Sequence, residues 1–168
     1  MSAKLTPALR PMLPDDGPVL AAIFRAAVEE IASEDYSQAQ CDAWAARADD
    51  EEAFAAMLAS GLTIIATLDK EPVGFATLKD NAHVDMLYVH PGVAHRGVAT
   101  ALLDALETIA ASRGTALMTA DASDTARELF AKRGYVAMRR NSIELDGEWL
   151  GNTSMEKRLE PLNKGPLQ

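Results

Sequence analysis

The residues with the clearest chemical meaning lie in the segment 89–103, which reads V-H-P-G-V-A-H-R-G-V-A-T-A-L-L. Pro91-Gly92 ends an apolar, strand-like run, and an amphipathic helix begins beside the small residues Gly97 and Ala99. The first amides of a helix lack partners within it, and the helix dipole makes that end positive. Where small residues allow a ligand to approach closely, this geometry binds phosphate. The segment therefore predicts a site where main-chain amides hold a phosphate-bearing cofactor.

Hydrophobic periodicity predicts the elements that must position this segment. Positions spaced for helices dominate the first 60 residues, and strand patterns with short polar turns follow. The predicted elements, in chain order, are a strand at Leu5–Arg10, helices from Asp15-Asp16 through Ile31, at Gln38–Ala48 and at Glu51–Ser60, strands at Leu62–Leu68, Pro72–Lys79 and His83–Val89, a helix from Val98 to its stop at Gly114, a strand at Ala116–Ala120, a helix at Ser123–Arg133, and strands at Tyr135–Ile143 and Glu148–Lys157. This order predicts a mixed α/β protein.

Composition limits the class of protein. A chain of 168 residues that is 48% hydrophobic predicts one globular domain over residues 1–168. The net charge of −9 argues against a nucleic-acid partner, which usually requires a basic face. No apolar run is long enough for a membrane span, and Cys41 has no second cysteine to pair with. We therefore expect a cytoplasmic protein with no membrane partner.

The negative charge is concentrated near the beginning of the chain. Residues 1–60 contain 11 of the 25 acidic residues but 4 of the 16 basic ones. One interpretation is a solvated acidic face. The other is an electrostatic field that favours a cationic, amine-bearing substrate.

Four patches in order resemble the GNAT superfamily of acyl-CoA-dependent N-acetyltransferases. The first is the family's loop signature, Gln/Arg-x-x-Gly-x-Gly/Ala, which here reads A-H-R-G-V-A over Ala94–Ala99. The second is A-x-x-L-F-x-x-x-G-Y over Ala126–Tyr135. The other two, D-Y-S-x-x-Q-x-x-A-W-A over Asp35–Ala45 and G-x-x-L-G-N-x-x-M-E-K-R-L over Gly147–Leu159, resemble a poorly characterised bacterial branch. The resemblance implies a mostly antiparallel central sheet, flanked by helices and splayed at the strand that receives the cofactor.

The resemblance also implies acetyl-CoA, or coenzyme A, as the cofactor. In the family, amides of the loop and the helix start receive the pyrophosphate, the preceding strand binds the pantetheine arm, and an amide near Leu87 polarises the thioester carbonyl. His95 sits in the loop, where it can reach a phosphate. The residues expected to bind the cofactor are Leu87, Tyr88, Val89, His95, Arg96, Gly97, Val98, Ala99, Thr100 and Phe130.

Two positions depart from the family pattern. Ala94 replaces the usual Gln or Arg and removes one side-chain contact from the loop. Phe130 stands where many members carry a Tyr that protonates the departing thiolate, and Phe has no proton to donate. Ser123, expected at the start of the same helix, is a candidate substitute acid, and it is equally an N-cap.

A base is needed because the amine must be neutral when it attacks. His83 falls where some histone-modifying relatives carry a catalytic Glu, and Asp85, two residues further, is expected on the same strand face. A neutral imidazole beside a carboxylate can accept a proton near neutral pH. The alternative is that His83 is an edge residue and Asp85 is simply polar.

Three residues are candidates for contact with the acceptor. Tyr36 and Trp44 lie in the helical region that forms one wall of the acceptor pocket in the family, where aromatic rings can embrace an ammonium group. Core packing is the alternative for both. Asn152 can present its amide to the acceptor or make a structural hydrogen bond. No metal site is expected, because the three histidines lack ligand spacing.

The leading hypothesis is therefore an acyltransferase that acetylates a primary amine of a small molecule or peptide, by direct attack in a ternary complex. A coenzyme A-binding sensor without turnover is the alternative that Phe130 raises. A site for another nucleotide ranks last, because the chain has neither a Walker lysine nor a complete G-x-G-x-x-G fingerprint. Relatives often form homodimers through their last strands, and nothing in the sequence decides the oligomeric state.

Overall fold

An open seven-stranded sheet runs through residues 3–160, which are the residues that the computed structural model describes. Its strand order is β1-β2-β3-β4-β5-β7-β6, and all neighbours are antiparallel except β4 and β5. The strands are β1 (Ala8–Pro11), β2 (Leu62–Leu68), β3 (Glu71–Lys79), β4 (His83–Val89), β5 (Leu117–Ser123), β6 (Val136–Leu145) and β7 (Glu148–Arg158). The helices are α1 (Gly17–Glu30), α2 (Gln38–Ala45), α3 (Glu51–Ala59), α4 (Val98–Ser112) and α5 (Arg127–Lys132). The predicted mixed α/β class, with a mostly antiparallel sheet between helices, is confirmed.

The two faces of the sheet carry separate hydrophobic cores. Helices α1 to α3 cover one face, and α4 and α5 cover the other. Strand β2 lies between both layers, so Ile65 belongs to the first core and its neighbour Ile64 to the second. This explains why β2 is apolar at consecutive positions rather than at alternate ones.

Tight turns join the hairpins as the sequence predicts. Asp69 and Lys70 have φ values of 50° and 70°, and Asp146 and Gly147 have φ values of 51° and 84°. Two consecutive residues with positive φ form a type I′ turn, whose twist matches that of the flanking strands.

Strands β4 and β5 are parallel at one end and separate at the other. Their register contains two pairs, His83 with Thr119 and Val84 with Ala120. The remainder of β4 pairs with β3 but has no partner in β5. The predicted splay at this strand is therefore present, and the gap opens towards the N-terminus of α4.

Several predicted boundaries differ from the structure, and one of them concerns a candidate catalytic residue. Ser123 is the last residue of β5, where it pairs with Asn152, and α5 begins four residues later with Ala126 as its N-cap. The ladder with β7 extends the strand beyond its apolar part, which the local pattern does not reveal. The Ser123 hydroxyl instead accepts a hydrogen bond from the Ala126 amide at 3.1 Å, within the turn that joins β5 to α5.

The first strand is shifted relative to its prediction. It begins at Ala8 and includes Pro11, which is tolerated on an edge strand. Leu5 lies outside the sheet, and its amide donates to the carbonyl of Arg96 at 2.8 Å. Within residues 3–160, no helix combines the length and the apolar character needed to cross a membrane.

Candidate active site

The N-terminus of α4 has the geometry of an anion site. Gly97 is its N-cap with φ of +92°, and His95 in the preceding loop has φ of +61°. The amide of Ala101 donates to the Gly97 carbonyl at 3.0 Å, so the amides of residues 98–100 precede the helical ladder. Glycine is favoured at position 97 because a side chain there is strained by the left-handed backbone.

The start of the described chain packs against this loop. The Arg96 Nε donates to the Ala3 carbonyl at 2.9 Å, which anchors this side chain to the N-terminal segment. The guanidinium keeps its terminal N–H donors, so Arg96 can contribute both its backbone and its side chain to an anion site. Lys4 lies against Gly97, since a Cβ built on that glycine would be 3.0 Å from the Lys4 Cγ. The sequence contained no signal for Lys4, because its proximity depends on how the N-terminal segment docks.

A cavity of about 210 Å³ lies between the end of β4 and the start of α4, and we call it the α4 cavity. Its wall is mostly apolar, and Val28 and Ile31 at the end of α1 form one side of it. Thr125 and Leu129 extend the opposite side. It contains most of the residues predicted to bind the cofactor, namely Leu87, Tyr88, Val89, His95, Gly97, Val98, Ala99 and Thr100.

A second cavity of about 230 Å³, the central cavity, lies beside the first and carries the ionisable groups. Carboxylates of Asp85 and Asp121 line it together with His83 and Arg47. Ser123 and Asn152 add uncharged polar groups, and the larger part of the wall is aromatic and aliphatic, with Tyr36, Trp44, Tyr88, Phe130, Ile143, Leu145 and Leu150. Phe130, which was expected beside the cofactor, thus lines the central cavity rather than the α4 cavity.

The two cavities share part of their walls. Trp44, Leu87, Tyr88, Ser123 and Ala126 line both of them. These five residues form the junction of the two cavities, and the ionisable groups named above line the central cavity but not the α4 cavity. The oxygen of the Ser123 hydroxyl is engaged by the Ala126 amide, and its hydrogen remains available to donate into the junction.

His83 has two polar neighbours, and neither is Asp85. Its Nδ1 lies 2.7 Å from Thr119 Oγ1, and its Nε2 lies 3.8 Å from Asp121 Oδ2. A β-bulge explains why simple alternation fails here: β3 pairs Thr77 with Met86 and then Leu78 with Val84, which leaves Asp85 as the extra residue. His83 and Asp85 still line the same cavity.

A hydrogen-bond network joins Tyr36 to the sheet. Its hydroxyl donates to the Gly151 carbonyl at 2.6 Å and accepts from the Asp124 amide at 2.8 Å. Burial raises the pKa of Tyr36, so the hydroxyl keeps its proton. Arg140 forms a bidentate ion pair with Asp124, and its hydrogen bonds lower the pKa of that carboxyl. This network fixes the wall of the central cavity on β7 and on the β5–α5 turn.

Two aromatic rings pack against Trp44. Its ring meets the ring of Tyr36 edge to face, with centroids 5.4 Å apart, and that of Tyr88 at 6.3 Å. Burial raises the pKa of Tyr88 to about 12. Phe130 packs edge to face on Tyr135 at 5.0 Å. Packing and contact with the cavity coexist for Tyr36 and Trp44, since both are buried and both line it.

Asn152 makes the structural hydrogen bond that was one of its two interpretations. Its Oδ1 accepts from Asn141 Nδ2 at 3.0 Å, and the residue also lines the central cavity. Asp121 lies in the same polar row, because its Oδ1 accepts from Ser154 Oγ at 2.8 Å. The sequence did not single out Asp121, since its position beside His83 follows from the pairing of β4 with β5.

Comparison with known proteins identifies the family. The family model described as an acetyltransferase (GNAT) domain matches residues 32–159. The chain belongs to the GNAT family. This GNAT protein is 35% identical over 147 residues to the uncharacterised N-acetyltransferase YafP of Escherichia coli K12, covering 88% of this chain and 93% of YafP. The family and its relatives identify the protein as an acyltransferase.

Solved structures agree with this assignment. The crystal structure of a GCN5-related N-acetyltransferase from Rhodopseudomonas palustris superposes on this protein with a TM-score of 0.92 at 56% identity. The match covers 95% of this chain and 99% of the Rhodopseudomonas chain. PaiA N-acetyltransferase from Thermoplasma acidophilum, solved with coenzyme A, has a TM-score of 0.74 at 18% identity, with coverage of 92% and 99%. At that identity the likeness to PaiA concerns the fold alone.

Proposed function

We propose that the protein transfers an acetyl group from acetyl-CoA to a primary amine of a small molecule or peptide, by direct attack in a ternary complex. The observation that carries this proposal is the junction of the two cavities. One cavity ends at the amides that begin α4, and the other contains a histidine and two carboxylates. A thioester and an amine bound in adjoining cavities meet without a covalent enzyme intermediate, and their placement supplies most of the rate.

The donor half of the proposal rests on the fit of the α4 cavity to coenzyme A. Amides of residues 98–100 point out of the helix at its positive end and can receive the pyrophosphate. The left-handed backbone of Gly97 and the strand groups of residues 85–89 that lack a β5 partner suit main-chain binding of an extended chain. When bound, acetyl-CoA supplies the electrophilic thioester. The amide at Leu87 is our candidate for the donor that polarises its carbonyl.

The acceptor half rests on the composition of the central cavity. Two carboxylates and one guanidinium leave the lining with an excess of negative charge, which favours an ammonium group. The aromatic and aliphatic wall favours an apolar body attached to that ammonium. We therefore infer a cationic primary amine on an apolar body as the acceptor class.

Proton transfers are assigned to His83 and Ser123. His83 accepts a proton from the amine before or during attack, and Asp85 adds negative charge on the same cavity wall. At the junction, the Ser123 hydroxyl donates a hydrogen bond to the departing thiolate and passes it a proton while its oxygen takes one from solvent water, in the role that Phe130 cannot fill. Thiolate is a good leaving group, so we expect this contribution to be smaller than that of the base.

Thiol release from acetyl-CoA with a panel of amines tests the proposal. We expect release with arylalkylamines and alkylamines, and none with the matched alcohols. His83→Ala should lower turnover at pH 7 on the order of a hundredfold or more, the usual contribution of a general base, and leave coenzyme A affinity within about twofold. An unchanged pH–rate profile in His83→Ala would remove His83 from the mechanism. Coenzyme A binding without thiol release by any amine would favour the sensor instead.

Ser123→Ala gives a separate test of the acid. We expect its turnover to fall by about three- to tenfold, because a good leaving group needs little protonation. The loss should become larger with a thioester analogue whose thiol is more basic. Equal losses with both thioesters would exclude a role in protonating the thiolate.

A further inference from the structure

The two nitrogens of the His83 ring face different surroundings. Its Nδ1 is 2.7 Å from Thr119 Oγ1, and its Nε2 is 3.8 Å from Asp121 Oδ2. Beside the central cavity lies another concave region, the outer cavity, which Thr119 lines together with His83 and Asp121. Thr119 is absent from the lining of the central cavity, whereas Asp121 lines both. Nδ1 thus faces Thr119 of the outer cavity, and Nε2, the nitrogen that Thr119 leaves free, faces Asp121 on the wall that the two cavities share.

A neutral imidazole carries one proton, and its position decides which nitrogen can act as a base. The negative charge of Asp121, taken alone, favours a proton on Nε2, where the ring could accept nothing from a substrate in the central cavity. The Thr119 hydroxyl lies at hydrogen-bond distance from Nδ1 and can either donate to a bare Nδ1 or accept from Nδ1–H. A base that serves the central cavity through Nε2 requires the second arrangement, in which the Thr119 oxygen accepts and its own hydrogen turns away from the ring.

We propose that Thr119 holds neutral His83 in the Nδ1–H tautomer, so that the Nε2 lone pair is free to take the proton of the acceptor amine. Asp121 then stabilises the Nε2–H of the imidazolium that results. In this step the ammonium N–H bond breaks, the proton joins Nε2, and the amine lone pair becomes free to attack. Thr119 and Asp121 are positioning residues, and the proposal rests on the proposed role of His83 as the base.

The carboxylate of Asp121 is itself oriented by neighbouring strands. Ser154 Oγ donates to its Oδ1 at 2.8 Å, which leaves Oδ2 for the imidazole. Asn141 Nδ2 donates to Ser154 Oγ at 2.8 Å and to Asn152 Oδ1 at 3.0 Å. One row of polar side chains on β5, β7 and β6 therefore leads from Asn152 to His83.

Other charged groups surround the ring at greater distance. Asp85 and Arg47 line the central cavity with His83, and Arg139 and Glu156 line the outer one. Within the described residues 3–160, Asp121 is the carboxylate that comes within 4.0 Å of the ring. The pair formed by Thr119 on one nitrogen and Asp121 on the other therefore dominates the immediate surroundings of the imidazole.

Nitrogen-15 NMR of the ring tests the tautomer without any turnover. His83 is one of three histidines, so its resonances are assigned by their loss in His83→Ala. At a pH where the ring is neutral, we expect the wild type and Thr119→Ser to show the Nδ1–H tautomer. Thr119→Val, which keeps the shape but cannot accept, should shift the ring towards Nε2–H. An Nε2–H tautomer in the wild type, or no change in Thr119→Val, would overturn the proposal.

Steady-state kinetics supply the second readout. We expect Thr119→Val to lower kcat by about ten- to a hundredfold, with Thr119→Ser restoring most of it and coenzyme A affinity unchanged. Thr115→Val is the matched control, because its hydroxyl donates to the Asn81 carbonyl and lines none of the three cavities. Thr115→Val should retain wild-type kcat.

Asp121→Asn should move the acidic limb of the profile of kcat/KM against pH to lower pH, and an unmoved limb would contradict the role of Asp121. Full activity of His83→Ala would instead defeat the proposed base, whatever tautomer the NMR spectra report.

Discussion

Replacement of Gly97 by alanine tests the link between the α4 loop and cofactor binding. Gly97 adopts φ of +92° as the N-cap of α4. An L-residue with a Cβ loses about 1–2 kcal/mol in the left-handed region. The new Cβ would also lie 3.0 Å from the Lys4 Cγ, but that side chain is flexible and can move. Backbone strain is therefore the main effect of Gly97→Ala.

Strain that the loop releases by relaxing no longer lowers the stability and appears instead in the affinity for coenzyme A. A loop that relaxes from the left-handed conformation turns the amides of residues 98–100 away from the pyrophosphate. If the free protein relaxes, coenzyme A must return the loop to its strained conformation, and the binding free energy is reduced by the strain energy. A reduction of about 1.4 kcal/mol corresponds to a tenfold loss of affinity. We therefore expect the Kd for coenzyme A to rise about tenfold in Gly97→Ala.

Gly114→Ala is the matched control at the opposite end of the same helix. Gly114 has φ of +86°, and a Cβ there would meet nothing within 4 Å. If the loop relaxes, denaturant unfolding should show a smaller loss of free energy in Gly97→Ala than in Gly114→Ala, and calorimetric titration should show weaker coenzyme A binding in Gly97→Ala alone. If Gly97→Ala is destabilised less than the control and still binds coenzyme A within twofold of the wild type, the backbone at Gly97 does not form the anion site.

Three further perturbations address the surrounding contacts. Tyr36→Phe removes two hydrogen bonds but keeps the ring. The free energy of unfolding should therefore fall by about 1–2 kcal/mol, and the KM for the amine should rise. An unchanged unfolding curve would show that these hydrogen bonds contribute little to stability. Because Arg140 lowers the pKa of folded Asp124, the stability from this pair is complete above the ordinary carboxyl pKa of about 4 and is lost as pH falls below it. Asp124→Asn should therefore flatten the acid branch of the stability curve below about pH 5, and an unaltered branch would contradict the pairing. Lys4→Ala should raise the Kd for coenzyme A about two- to fivefold at low salt and less at high salt, because Lys4 lies beside Gly97. Lys70→Ala, at an exposed position, is the control. Equal effects of the two substitutions would show that the change in net charge matters and the position of Lys4 does not.

Local sequence patterns predicted the elements that are defined by their own residues. Strands β2 and β4 have the predicted bounds, and α4 contains Val98 and ends before Gly114 as predicted, because a run of apolar residues and a glycine stop are local signals. The turn at Asp69-Lys70 was predicted for the same reason. The loop-and-helix segment that carries the resemblance to the family could therefore be located from the sequence.

Features that depend on strand pairing could not be predicted. The extension of β5 to Ser123 is set by its ladder with β7, and the bulge at Asp85 is set by the register with β3. The same pairing brings Thr119 and Asp121 to His83 from a strand about 36 residues away. The sequence therefore indicated the candidate base but assigned it the wrong nearest carboxylate.

Initial velocities measured while acetyl-CoA and an amine are varied together distinguish direct transfer from transfer through an acetylated protein. Transfer in a ternary complex across adjoining cavities predicts double-reciprocal lines that intersect, with acetylated amine formed in step with free thiol and no acetyl group on the protein. Parallel lines, accompanied by acetylated protein in mass spectra, would contradict direct attack of the amine on the thioester.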